Sequence, residues 1–282
     1  MADLANKTFI ITGANAGIGK ITALELARQG AHVILACRSK DKTLAVIEDI
    51  KRATSNSKVE FVPLDLGDLA SVRACAESIL ARKIPIHGLI NNAGLGGQRG
   101  QTKDGFELQF GTNHLGHYLF TRMLLERIKE SGEARIVNVS SKSHYAAKGI
   151  DWTTLQSPTR TVTAMKEYAV SKLSNVLFTK ELARRLEGTN VSTYAVHPGV
   201  VATEIWKRVP GPFRWLMKKF MITPEKGAEA SLRCATAPEL AKQTGLYYDV
   251  GGKETRPSRL ADDAELAKTL WARSAEWTGL SA

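Results

Sequence analysis

Short, near-continuous apolar runs alternate along this chain with longer stretches of helical period, and that alternation restricts the fold more than any other feature. Residues 9–12, 33–36, 59–64, 88–90, 136–139 and 191–196 read as strands. Apolar side chains at successive positions, rather than at alternate ones, suit strands covered on both faces, as in a parallel sheet. Residues 18–29, 41–54, 69–82, 113–130 and 167–187 carry the helical pattern between them. Strand, helix and strand at this spacing predict right-handed crossovers and an α/β doubly wound parallel sheet with helices on both faces. A further helix is expected over 224–236, opened by Pro224 in its first turn. A last strand is expected over 245–250 and a closing helix over 262–277. Without a repeat, a low-complexity tract or a linker, residues 1–282 read as a single domain.

The first apolar run passes directly into Thr12-Gly13-Ala14-Asn15-Ala16-Gly17-Ile18-Gly19, and a helix follows. Glycines let the backbone turn sharply and approach a pyrophosphate, whose charge is stabilised at a helix N-terminus. The same turn could be a purely structural corner, but its place after the first strand of a βα series favours a dinucleotide site. In such sites an acidic residue about 20 positions beyond the glycines accepts hydrogen bonds from the ribose hydroxyls. Here the place is taken by Cys37-Arg38. A guanidinium would hold the 2′-phosphate that a carboxylate would repel, so NADP(H) is the expected cofactor.

Tyr168-Ala169-Val170-Ser171-Lys172 opens the long helix from 167. Residues four apart share a helix face. A free tyrosine titrates at about 10, too high for a base near neutrality. A neighbouring cation is expected to lower it. Such a pair arises by chance on many surface helices and gains meaning only from its context.

That context is a series of motifs in order: the glycine turn, Asn91-Asn92-Ala93-Gly94 after the fourth strand, Val139-Ser140-Ser141 after the fifth, the Tyr168–Lys172 pair, and His197-Pro198-Gly199 after the sixth. Together they resemble the short-chain dehydrogenase/reductase family, over nearly the whole chain. Ala36-Cys37-Arg38, Asn113-His114-Leu115-Gly116-His117 and Leu177-Phe178-Thr179 are similar to its retinol dehydrogenase branch. The resemblance implies a Rossmann-type sheet of about seven strands. It also implies oxidoreduction between alcohols and lipophilic aldehydes or ketones. Tyr168 would be the general acid or base, and Lys172 would lower its pKa and bind the nicotinamide ribose. Ser141 would hydrogen-bond the substrate oxygen, and Asn113 would hold a water linking Lys172 to solvent. Cofactor contacts would come from Gly13, Asn15, Gly17, Ile18, Gly19, Arg38, Asp65, Leu66, Asn91, Ala93, Gly94, Tyr168, Lys172, Pro198, Gly199, Val201 and Thr203. Asp65 corresponds to an adenine contact, and Asn91 to a residue steadying the central sheet and the adenosine ribose.

Leu95-Gly96-Gly97-Gln98-Arg99 is smaller and more polar than the apolar wall usual in that branch, which points to a reshaped pocket. A substrate-binding lid is expected over 204–222. Its aromatic and basic residues within 205–221 suit peripheral contact with an anionic membrane. Dimers or tetramers through the helices at 113–130 and 167–187 follow from the resemblance.

Other classes fit less well. A dinucleotide-binding regulatory or scaffold protein would be expected to lose part of the set Asn113, Ser141, Tyr168 and Lys172, all of which stand here. The net charge of +11 prompts a search for nucleic-acid motifs, and none is found. His114 and His117 lack a third ligand, so no metal is expected. The three cysteines, Cys37, Cys75 and Cys234, are scattered and read as free thiols of a reducing compartment. No apolar run of spanning length or secretory signal is seen, so a cytoplasmic location is expected.

Overall fold

A computed structural model describes residues 3–200 and 222–282. The expected lid and membrane contact, with Val201 and Thr203, therefore lie outside the described residues. Strands β1 (Thr8–Thr12), β2 (His32–Cys37), β3 (Val59–Pro63), β4 (Gly88–Asn91), β5 (Ala134–Val139), β6 (Val191–Val196), β7 (Leu246–Asp249) and β8 (Lys253–Glu254) form one sheet. Their order is β3-β2-β1-β4-β5-β6-β7-β8. Every pairing is parallel except β7 with β8. The helices are α1 (Gly17–Arg28), α2 (Lys40–Thr54), α3 (Leu69–Leu80), α4 (Gly116–Glu130), α5 (Met165–Arg185), α6 (Pro224–Thr236) and α7 (Ala264–Trp277).

Alternate residues of each central strand feed two separate cores, which is why the strands read as continuous apolar runs. Phe9, Ile11, Val33 and Leu35 pack with Ala23 and Leu26 of α1, Val46 and Ile50 of α2 and Cys234 of α6. Their neighbours Ile10, Ile34 and Ala36 face the other way, onto Val72 and Cys75 of α3, Leu119 of α4 and Phe178 of α5.

The closing helix α7 lies on α4 and α5. Its Trp271 ring sits between the guanidinium carbons of Arg122 and Arg185, at 4.7 and 4.3 Å from the centroid. The same ring stacks on Phe178 and meets Tyr118 edge-on. These are the helices to which the resemblance assigns subunit pairing, so part of that face is taken up within the chain itself.

Several boundaries depart from the sequence pattern. The sheet has eight strands rather than about seven, because β8 is two exposed charged residues without an apolar signal. The helix expected from 113 begins earlier, with a turn at Leu108–Phe110 and a π-helical turn at Gly111–Leu115 running into α4. The Glu107 carboxylate caps that start by accepting from the Gln109 and Phe110 N–H groups. Asp263 caps α7, and Asp262 pairs with Lys180 at 2.7 Å.

Candidate active site

The strand order reverses between β1 and β4, and the C-terminal ends of the strands at such a reversal are where ligands bind in sheets of this kind. Gly13 and Gly17 take left-handed φ values of 65° and 52°. A Cβ on Gly13 would stand 2.8 Å from the Ala93 Cβ, and one on Gly19 would stand 2.5 Å from the Asn92 Nδ2. The glycine turn is thus pressed onto the turn after β4, and the space exists only without side chains. The first turn of α1 has no acidic residue, and its N-cap, Ala16, has no side-chain group to bond the free N–H groups. Asn15 and Ile18 lie on this turn, so the cradle suits a phosphate anion.

Thr12 ties the two turns together. Its Oγ1 accepts from the Asn92 N–H at 3.0 Å and the Ala93 N–H at 2.9 Å, and lies 2.8 Å from the His117 Nε2. With two donors already accepted, the hydroxyl proton points at His117, whose Nε2 must be bare. The His117 Nδ1 then carries the hydrogen and donates to the Asn113 carbonyl at 3.0 Å. Burial holds His117 down to about 4, consistent with a neutral ring.

At the ends of β2 and β3, Arg38 stands 3.9 Å from the Asp65 Oδ2. The Arg38 side chain is 79% exposed and free to turn toward a ligand. The Asp65 Oδ1 accepts from the Gly67 N–H, and Leu66 is buried beneath, its carbonyl against Gly116. Asn91 is buried and donates to Thr121 and Asn138, inside the sheet layer. Pro198 and Gly199 follow β6, and Gly199 at φ 94° leaves no room for a Cβ beside Ile222.

The Tyr168 ring lies against Gly96, and Asn113 and Lys172 meet beside Gly94. A Cβ there would come within 3.3 Å of the Asn113 Oδ1 and 3.4 Å of the Lys172 Nζ. Lys172 is buried and donates from Nζ to the Val139 carbonyl at 3.0 Å, with Nζ 5.6 Å from the Tyr168 ring centroid. Ser141 lies two residues beyond β5, and its Oγ accepts from the Ser143 N–H. The Asn113 Oδ1 accepts from the Leu95 N–H, and its Nδ2 donates to the Leu95 carbonyl and the Ser171 Oγ. Both donors of that amide are therefore spent on the protein, leaving only acceptor atoms of Asn113 for a water.

The electrostatics correct one expectation. Lys172 was expected to hold the Tyr168 phenol below its ordinary value. Burial instead pushes the phenol up, and only the Ser141 hydrogen bond draws it down. Burial also drives Lys172 down to about 8, which weakens the cation available to the phenol.

The model of short chain dehydrogenases matches residues 7–211. The chain belongs to the short-chain dehydrogenase family. It is 45% identical to human retinol dehydrogenase 13 over 293 residues, covering 100% of this chain and 87% of that protein. A crystal structure of an uncharacterized protein from Mycobacterium paratuberculosis superposes with a TM-score of 0.81 at 34% identity, covering 100% of this chain and 96% of that one. The 3-ketoacyl-(acyl-carrier-protein) reductase of Brucella melitensis complexed with NADH superposes at 0.69 and 28% identity, covering 89% and 99%.

For a member of this family, the motif residues were legible in the sequence, and several residues holding them were not. Thr12, His117, Gln109 and His144 hold site residues or the loops beside them through hydrogen bonds that are buried or partly buried. His144 accepts at Nε2 from the Ser258 N–H and donates from Nδ1 to the Ser141 carbonyl, so it carries the opposite edge of the Ser141 turn. His114 and His117, three positions apart, separate in the structure. His114 bonds Ser274 of α7, whereas His117 bonds the glycine turn. Among the described residues, no helix is long and apolar enough to cross a membrane.

Proposed function

We propose that this protein is an NADP(H)-dependent oxidoreductase interconverting alcohols with aldehydes or ketones, and that its substrates are lipophilic, retinoid-like or otherwise apolar carbonyls. The observation that carries this reading is the meeting of the Tyr168 phenol, the Ser141 hydroxyl and the buried Lys172 ammonium at the sheet's switch point. The side-chain-free glycine cradle supports a dinucleotide there, and exposed Arg38 in place of an acid supports the 2′-phosphate form. Names of relatives such as retinol dehydrogenase 13 support the substrate class. That all described strands share one sheet supports reading 1–282 as one domain.

The bound dinucleotide would supply or accept the hydride. In carbonyl reduction Tyr168 gives its phenolic proton to the substrate oxygen as that oxygen gains charge. Ser141 donates a hydrogen bond to the same oxygen and stabilises the charge while it forms. Burial, which pushes the phenol up, favours its protonated form, the form that acts as the acid when a carbonyl is reduced. Lys172, still largely protonated at neutral pH, places a cation beside the phenolate left behind. It would also hold the nicotinamide ribose.

A steady-state screen of retinals, medium-chain aldehydes and aromatic ketones, each with NADPH and with NADH, tests the reading. Turnover with preference for NADPH is expected. NADPH binding without turnover of any carbonyl would favour a regulatory dinucleotide-binding protein instead.

A further inference from the structure

Two amides four residues apart, Gln109 and Asn113, hold the loop that follows β4. Asn113 grips Leu95 from both sides, accepting from its N–H and donating to its carbonyl, each at 2.9 Å. Gln109 takes the next grip. Its Oε1 accepts from the Gly97 N–H at 3.0 Å, and its Nε2 donates to the Ala164 carbonyl at 2.6 Å. That same carbonyl accepts the Tyr168 N–H at 3.0 Å. Gly96, between the two grips, lies against the Tyr168 ring, where a Cβ would stand 3.3 Å from Cε2. The Gln109 side chain is 0% exposed, and Glu107 fixes its turn by accepting from its backbone N–H at 2.9 Å. Ala164 has a left-handed φ of 55°, a conformation unfavourable for a residue with a Cβ. Its carbonyl direction therefore has to be held by its surroundings.

We infer that Gln109 is a positioning residue: it locks the Tyr168 end of α5 to the 95–97 loop and thereby sets the direction of the phenol toward the substrate oxygen. The inference rests on the reading of Tyr168 as the acid–base group. A neutral amide can do both halves of this work, accepting from one backbone segment while donating to another. An ionised carboxylate of the same shape can accept from Gly97 but would face the Ala164 carbonyl with like partial charge. Once protonated, it can donate there again.

Gln109→Glu therefore makes the clamp titratable. The groups that bear on it are Glu107 of the same turn, with Glu167 of α5 in electrostatic reach of Glu107, and Tyr168 itself. All are present in the wild type, so the ratio of variant to wild type at each pH removes their own titrations. At about pH 8 the variant is expected to lose roughly 10- to 100-fold in kcat, the effect of misplacing a reacting group by about 1 Å. Its KM for NADPH should stay within about twofold of the wild type. Toward about pH 5.5 the kcat ratio should recover, since burial and the neighbouring carboxylates raise the new carboxyl group's pKa. Gln109→Ala, able to form neither bond, should lose kcat without recovery.

Equal loss in both variants at every pH, or no loss in either, would overturn the inference. Should either variant fail to fold, Gly96→Ala presses the same ring contact from the loop side. A lowered kcat with unchanged NADPH affinity is expected, and an unchanged kcat would count against the clamp. Tyr168→Phe run alongside separates the two readings. If it is inactive while the Gln109 variants match the wild type, only the Gln109 inference fails. If it turns over normally, the acid–base reading fails and the inference falls with it.

Discussion

Replacing Thr12 with valine changes almost no volume and removes one hydroxyl, and that hydroxyl carries three bonds, one buried and two partly buried. Thr12 is 0% exposed, accepts from the Asn92 and Ala93 N–H groups, and donates to His117. The Asn92 N–H keeps the Ile90 carbonyl at 2.9 Å, so two groups, the Ala93 N–H and the His117 Nε2, lose their partner. A buried polar group left without a partner costs about 1–3 kcal/mol, so two independent losses would reach about 2–6 kcal/mol. The two are not independent, because they belong to one network. Ala93 is also only half-buried, so water can replace part of what it loses. The expected cost is therefore near the low end, about 2 kcal/mol. Thr12→Ser keeps the hydroxyl and loses one methyl group, for about 1 kcal/mol. Urea unfolding of both variants at neutral pH, followed by circular dichroism, compares them directly. If valine costs no more than serine, the assignment of Thr12 as the tie between the two turns is wrong.

Other expectations follow from charge and titration. Arg38→Ala removes a charge-assisted contact of about 1.5–3 kcal/mol, so the KM for NADPH should rise roughly 10- to 150-fold while that for NADH stays nearly constant. An equal rise for both cofactors would remove the basis for NADP preference. His114 sits at about 3, and His117 and His197 at about 4, all held down first of all by burial, against an ordinary value of 6.5. The unfolded chain therefore binds these protons more readily, so their stabilisation is complete above pH 6.5 and is lost as pH falls toward those values. His117 alone should account for about 3 kcal/mol. Thermal melts across that range should show a falling Tm, and a constant Tm would contradict the buried neutral rings.

The strands and most helices were legible because burial on both faces writes itself as unbroken apolar runs. The expected run over 191–196 coincides with β6. Gly13 and Gly19 were legible for a different reason, since only glycine fits where the two turns touch. Tyr168 and Lys172 were found by spacing, and the structure brings them to Ser141 and Asn113. The supporting residues escaped detection because their partners are far off in sequence. Thr12 meets His117 across 105 positions, and Gln109 meets Ala164 across 55. The start at Leu108 escaped because glutamate is an uncommon helix cap. The raised Tyr168 phenol escaped because residue spacing reports a neighbouring cation but not how much water both groups have lost.

Turnover by Tyr168→Phe tests the central claim most directly. With an aldehyde or ketone that the wild type reduces, the variant should lose at least about 100-fold in kcat, as expected for removal of a general acid. Its NADPH affinity, read by fluorescence titration, should stay within about threefold, because the phenol's part in cofactor binding is small beside that of the glycine turn and Arg38. Retained reduction at the wild-type rate, with NADPH bound, would contradict the role given to Tyr168 and the function built on it.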